Sequence, residues 1–323
     1  MEQQKPPQTY TRAEQLSLRV ELTDNDQAFI AEWAASVPAL FFLDINAVQA
    51  TKLSQDQLNK NKRKARLVEY LQFLDRPQHG ISYLFSLMEK VSDSRGEISD
   101  AQLEKQVLED AAALRDFFEH AKIYESDKFL TSYLRSLRRV PVEIQRPNYL
   151  AFLEAVNLSL GLHQSVSKPR RFKWARQVVE IAQSSGVYHQ HPIVSLVLAS
   201  LYGNKAAKKL LKFTRDPSQY DSENALADVM TITRFANHKL KIDSTLRLGA
   251  KYMRTDFVTD DEGLRGVIGC FQPQKMTIQE TDEGSTTHYT FTVQLEKLLT
   301  EIDAVEYQRV YDLLAAPPTG EVI

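Results

Sequence analysis

The sequence predicts an α/β protein: a parallel sheet flanked by helices, with a large helical insertion. Three observations carry this reading. Two short apolar runs of strand length, Ala39 to Ile45 and Phe257 to Thr259, each run into acidic residues. Long stretches between them repeat apolar residues at helical spacing, with only 11 Gly and 12 Pro in 323 residues. Strands separated by helices form parallel sheets, whose ligands gather at the carboxyl ends of the strands.

Thr23 followed by Asp26 has the form of a helix start, and that helix carries Phe29, Ile30 and Trp33 before Pro38 stops it. The run Ala39 to Ile45 has the length and aromatic content of a buried strand and contains Asp44. Ser54 with Gln57 is a capping box opening a helix to Leu74, and Gly80 precedes an apolar helix from Ile81 to Val91. From Ser99 to Lys212 the pattern is helical, broken at Pro141, Pro147, Gly161, Pro169, Gly186, Pro192 and Gly203. A helix from Ser222 to Asn237 precedes the Phe257 strand, Thr286 to Gln294 alternates as a strand does, and Leu295 to Leu314 closes the chain as a helix. The expected division is a discontinuous core, residues 1–98 and 190–323, with a helical insertion over 99–189. No fixed-period repeat points to a solenoid.

A composition of 43% hydrophobic and 25% charged residues excludes collagen-like, low-complexity and mostly disordered chains. The single cysteine, Cys270, forms no internal disulfide and no cysteine-rich metal framework, so the cytoplasm is the expected location. Met1 to Tyr10 is polar, and no run of about 18 apolar residues follows, so no membrane partner is expected. With 40 Lys plus Arg against 42 Asp plus Glu, nucleic-acid binding would have to come from local patches.

Asp44 ends the first strand and Asp260 and Asp261 follow the later one, where a parallel sheet places its ligands. Each has a plain alternative, Asp44 as the cap of the next helix and Asp260 or Asp261 in a turn before Gly263. Glu89 and Asp228 lie in strongly apolar helical segments, where a carboxylate needs a cation, either a metal or a neighbour such as Lys90 or Arg234. The histidines have no metal-ligand spacing, and phosphate-binding glycine loops and a GxSxG nucleophile are lacking.

The order of these acids resembles the PIN-like nucleases. Leu43-Asp-Ile-Asn46 matches that family's first motif, Ala225-Leu-Ala-Asp-Val-Met-Thr-Ile-Thr-Arg-Phe-Ala236 its third, and Phe257-Val-Thr-Asp-Asp-Glu-Gly-Leu264 its fourth. The resemblance covers roughly residues 38 to 95 and 190 to 270. It implies that Asp44, Glu89, Asp228 and Asp261 hold Mg²⁺ or Mn²⁺, with Asp260 or Asp256 able to replace Asp261, and that Asn46 and Thr259 steady the carboxylates. Hard carboxylate oxygens suit such cations, which polarise a phosphate and activate water without a side-chain nucleophile.

Substrate phosphates need cations nearby. Lys62, Arg63 and Lys64 lie in one basic run, Arg170, Arg171 and Lys173 in a second, and Lys205, Lys208, Lys209 and Lys212 in a third. Phe172 and Trp174 are candidates to stack on an unpaired base, though a charged helix face is more often only solvated and an aromatic more often core. The expected function is a metal-dependent endonuclease preferring RNA to DNA, in the role of a regulated toxin or defence effector. A regulatory protein or a second copy would be its protein partner. The alternatives are an inert PIN-like scaffold or nucleic-acid-binding protein acting through its helical insertion, and a structure-specific DNA nuclease.

Overall fold

The computed structural model describes residues 23–93, 98–139, 143, 145–246, 251–281 and 284–315. The polar segment Met1 to Tyr10 and the helix break at Pro141 lie outside them. Elements are numbered along the chain.

Helix α1 (Asp24–Ser36) opens on the expected box, the Asp26 N–H donating to Thr23 Oγ1 at 3.2 Å. Strand β1 (Ala39–Leu43) is buried throughout and leads into α2 (Ile45–Ala50). The single helix expected from Ser54 to Leu74 is two, α3 (Gln55–Lys60) and α4 (Lys62–Phe73). Asn61 leaves the helical conformation, and its Oδ1 accepts from the Lys64 N–H at 3.1 Å, so it starts a new helix.

A second correction concerns Ile81. It belongs to strand β2 (Gly80–Ser82), and helix α5 (Leu84–Asp93) starts only afterwards. All three β2 residues are buried, and an apolar run this short cannot be told from the start of a helix by periodicity. Helix α6 (Asp100–Phe117), strand β3 (Lys122–Ile123) and helix α7 (Asp127–Arg139) follow. β3 falls in a stretch expected to be helical up to a first break at Pro141.

Helices α8 (Arg146–Leu160), α9 (Lys168–Ser184) and α10 (Pro192–Leu201) each carry proline in the first turn, where the missing N–H is no loss. Gly161 and Gly203 follow α8 and α10 at φ 52° and 86°, a conformation that costs glycine least. Helix α11 (Lys205–Leu211) precedes α12 (Ser222–Leu246), which continues past the expected stop at Asn237. Strand β4 (Arg254–Val258) and helix α13 (Glu262–Ile268) come next. The strand expected over Thr286 to Gln294 is β6 (Gly284–Val293), paired antiparallel with β5 (Phe271–Thr281) in a separate hairpin. The closing helix is again two, α14 (Leu295–Leu298) and α15 (Ala304–Ala315), with Asp303 accepting from the Glu306 N–H at 2.9 Å to start the second.

The chain divides into two compact units, each taken over its described residues: Val20–Glu143 with Asn237–Asp261, and Ile144–Ala236 with Glu262–Ile323. This division differs from the expected one. Residues 99–143 belong to the sheet unit, and residues 190–236 belong to the helical unit.

The sheet unit holds a four-stranded parallel sheet in the order β3-β2-β1-β4. Ala39, Phe41 and Leu43 of β1 join Val68, Leu71, Leu87, Leu103 and Leu114 in its main core. Phe42, on the opposite face, stacks on Phe85 at 4.7 Å. In the helical unit α10 is buried at all ten positions and packs against α9, α11 and α14. No helix among the described residues is long and apolar enough to cross a membrane.

Candidate functional site

The register of β1 on β4 pairs Leu43 with Val258, so Asp44 and Thr259 leave the sheet side by side at its carboxyl edge. The Asp44 N–H extends that ladder to the Val258 carbonyl at 3.1 Å. Its side chain is 7% exposed. One carboxylate oxygen accepts from the Ala47 N–H at 2.6 Å, capping α2, and the other accepts from the Thr259 hydroxyl. Asp44 is therefore both the helix cap and the buried acid, so the two readings of it do not exclude each other. Burial pushes its pKa up to about 6, against the pull of those two hydrogen bonds and of the Lys64 charge.

Thr259 ties a further acid to the same edge, since its Oγ1 accepts from the Asp261 N–H at 2.9 Å. Glu89 approaches from α5, its Oε2 accepting from the Ile45 N–H at 3.4 Å, one residue beyond Asp44. Asp260 faces cations instead. Arg63 Nε lies 2.5 Å and Lys64 Nζ 2.8 Å from its two oxygens, and Arg63 also donates to its carbonyl. Burial alone would raise the Asp260 carboxyl, but Lys64 and Arg63 override it and hold it below the usual carboxylate range.

Asp228 belongs to the helical unit, where Lys212 Nζ lies 2.7 Å from its Oδ2. Asp256 is on β4, beside Arg254 at 3.1 Å. Asn46 is exposed, and no hydrogen bond among the described residues joins it to a carboxylate. Lys62 is exposed at the start of α4, whereas Arg63 and Lys64 engage Asp260. In the second basic run, Arg171 is buried and committed to Glu301 and to the Val166 carbonyl, while Arg170 and Lys173 are exposed. Among the described residues, no three His, Cys, Asp or Glu side chains form a group placed to hold a metal.

Sequence reasoning missed a polar network in the same unit. The Tyr83 hydroxyl donates to Asp110 at 2.7 Å, Lys90 Nζ lies 2.9 Å from the same carboxylate, and Lys52 also pairs with it. Asp110 is 1% exposed, on the stripe of α6 that carries Leu103, Val107 and Leu114. An acid at that spacing was the available signal. Glu125 is equally hidden, accepting from the Ser82 hydroxyl and, at 3.0 Å, from the Tyr83 N–H, and burial raises its pKa.

Comparison of the chain with protein-family models, with curated proteins and with solved structures gives no match.

Proposed function

We propose that the chain is a PIN-like, divalent-metal-dependent nuclease whose site is the carboxyl edge of β1 and β4, with RNA as the preferred substrate. One observation carries the reading. Asp44 sits at the end of a central parallel strand, buried, fixed by a hydroxyl from the neighbouring strand, and followed by a backbone N–H that Glu89 accepts from. The parallel order β3-β2-β1-β4, with acids following β1 and β4, supports it further.

The donor chemistry fits Mg²⁺ or Mn²⁺. Such ions are commonly held by one or two carboxylates with water and substrate phosphate completing the shell, so a cage of three protein acids is not required. Asp44 is a desolvated carboxylate whose pKa is raised by burial, and a bound cation would offset that desolvation. When bound, the cation would polarise the phosphate and lower the pKa of the attacking water.

The remaining roles fall to the chain. Asp44 and Glu89 would hold the ion, and Asp261 would reach it directly or through water. Thr259 orients Asp44 and the Asp261 backbone together. Asp260 holds Arg63 and Lys64 beside the acids, where they would meet a substrate phosphate. The preference for RNA and the role as a regulated toxin or defence effector rest on the family resemblance.

The pairing of Asp260 with Arg63 and Lys64, and of Asp228 with Lys212, favours a second reading, an inert scaffold on the same fold. Cleavage of single-stranded RNA, single-stranded DNA and flap DNA in Mn²⁺, by wild type and by Asp44→Asn, separates the readings. Cleavage that the substitution abolishes supports the nuclease. Equal turnover by both proteins removes the site, and no turnover together with no Mn²⁺ binding by calorimetry supports the scaffold.

A further inference from the structure

The helical unit carries a cleft that the metal reading does not use. Helices α9 and α15 pack together, and between them lie two adjoining hollows, about 570 Å³ and 470 Å³, that share Pro169, Phe172 and Arg309. Each is large enough for a small ligand or one unit of a polymer. Along α9, Lys168, Phe172 and Arg176 are spaced i, i+4, i+8, which sets cation, ring and cation on one stripe, with Lys173 beside them. From α15 the Arg309 guanidinium lies 3.7 Å from the centre of the Phe172 ring.

We propose that this cleft binds single-stranded nucleic acid, a base stacking on the Arg309–Phe172 pair while Lys173, Arg176 and Lys168 contact phosphates on either side. This extends the nucleic-acid reading above to a substrate-binding surface. The state of each charge supports it. Arg309 is exposed and lies over the Phe172 ring, and it makes no ion pair among the described residues. Lys173 and Arg170 are exposed and make no ion pair among the described residues. Among the described residues Arg176 pairs with Glu180, at 3.9 Å with both side chains more than 60% exposed, a pairing of little strength that a phosphate can replace.

Two of the three acids lining the cleft are engaged within the fold, and the third, Glu180, is the exposed partner of Arg176. Asp303 accepts from the Glu306 N–H at 2.9 Å, and Glu306 accepts from the Tyr202 hydroxyl at 2.9 Å. A guanidinium lying on a ring offers a flat face, which suits the π-face of a base. An acidic peptide would need only the charges. The fit is thus to an unpaired nucleotide chain, in which stacking and phosphate contacts alternate.

The test is fluorescence anisotropy of a short labelled oligoadenylate RNA with the full chain in chelator, so that failure of metal chemistry and failure of binding give separate results. Lys105→Gln, at an exposed cation of α6 outside the cleft, should bind as wild type does. Arg309→Lys keeps the charge but removes the plane, and should weaken binding about tenfold with little change in salt dependence. Lys173→Gln with Arg176→Gln should instead reduce the slope of log affinity against log salt by about 1.4, two single-strand phosphate contacts. Phe172→Leu should match Arg309→Lys, with circular dichroism melts confirming that both remain folded. Wild-type affinity in Arg309→Lys would overturn the stacking seat. Equal binding of a duplex or of polyglutamate would replace it with a merely basic surface, and an equal loss of binding in Lys105→Gln would place the RNA elsewhere.

Discussion

At the scale of single residues, Asp44 is a buried acid at the end of a central strand, and its proton makes the site testable without a substrate. Unfolded, its carboxyl titrates near 3.8; folded, at about 6. Below the lower value both states are protonated and the group does not affect stability. As pH rises from 3.8 to about 6 the unfolded chain gives up its proton first, so the metal-free fold loses stability, on the order of 3 kcal/mol once the rise is complete. Asp44→Asn removes that loss while Asn remains a good helix cap. In chelator the substituted protein should unfold at higher urea than wild type near pH 7, and at the same urea near pH 4. A less stable variant at neutral pH would mean that Asp44 is compensated by a cation and needs no metal. Thr259→Val removes the hydroxyl that orients the carboxylate, and should weaken Mn²⁺ binding about 10- to 100-fold in calorimetry. Asp44 and Thr259 were legible in the sequence because strand ends in a parallel sheet are where side chains converge. The apolar letters around Asp228 mark the other faces of α12, and its carboxylate is partly exposed beside Lys212.

At the scale of elements, the strands that position the site differ in how plainly they are written. β1 is five apolar residues followed by an acid and could be read directly, whereas β2 and β3 have three and two residues, below the length at which alternation can be counted. β5 hides for another reason. Its register shifts between Pro273 and Lys275, which moves the apolar letters of the strand from odd to even positions. What holds β2 in place is contact rather than pattern: a Cβ on Gly80 would lie 2.3 Å from the Tyr252 hydroxyl and 3.0 Å from a Leu40 methyl. Gly80→Ala should therefore cost about 1–3 kcal/mol by overpacking, read as a lower urea midpoint at unchanged slope. The Asp110 network joins α6 to Lys90 of α5, the residue after Glu89. Asp110→Asn keeps the shape but leaves Lys52 and Lys90 without their anion, and should destabilise the protein by about 2 kcal/mol with cleavage persisting in the folded fraction. Loss of cleavage at unchanged stability would make Asp110 part of the site.

At the scale of the whole molecule, the question is which unit answers to metal. The proposed ligands Asp44, Glu89 and Asp261 all belong to the sheet unit, and Asp228 belongs to the helical one. The family resemblance assigns Asp228 to the ion, while its Lys212 neighbour gives it an ordinary partly exposed ion pair. Those roles predict opposite melting behaviour. A ligand that binds only the folded state stabilises it by about 2.7 kcal/mol at 100 times its dissociation constant, so Mn²⁺ should raise the melting temperature of wild type. Asp44→Asn should lose most of that rise, whatever it gains in chelator. Asp228→Asn should melt slightly lower than wild type under both conditions, by no more than the 1 kcal/mol or so that a solvated pair contributes, and should keep the full metal-dependent rise. Scanning calorimetry of the three proteins in chelator and in Mn²⁺ gives the six temperatures needed. A rise that collapses in Asp228→Asn as it does in Asp44→Asn would show that the helical unit supplies a ligand, and a site confined to the sheet unit would then be wrong.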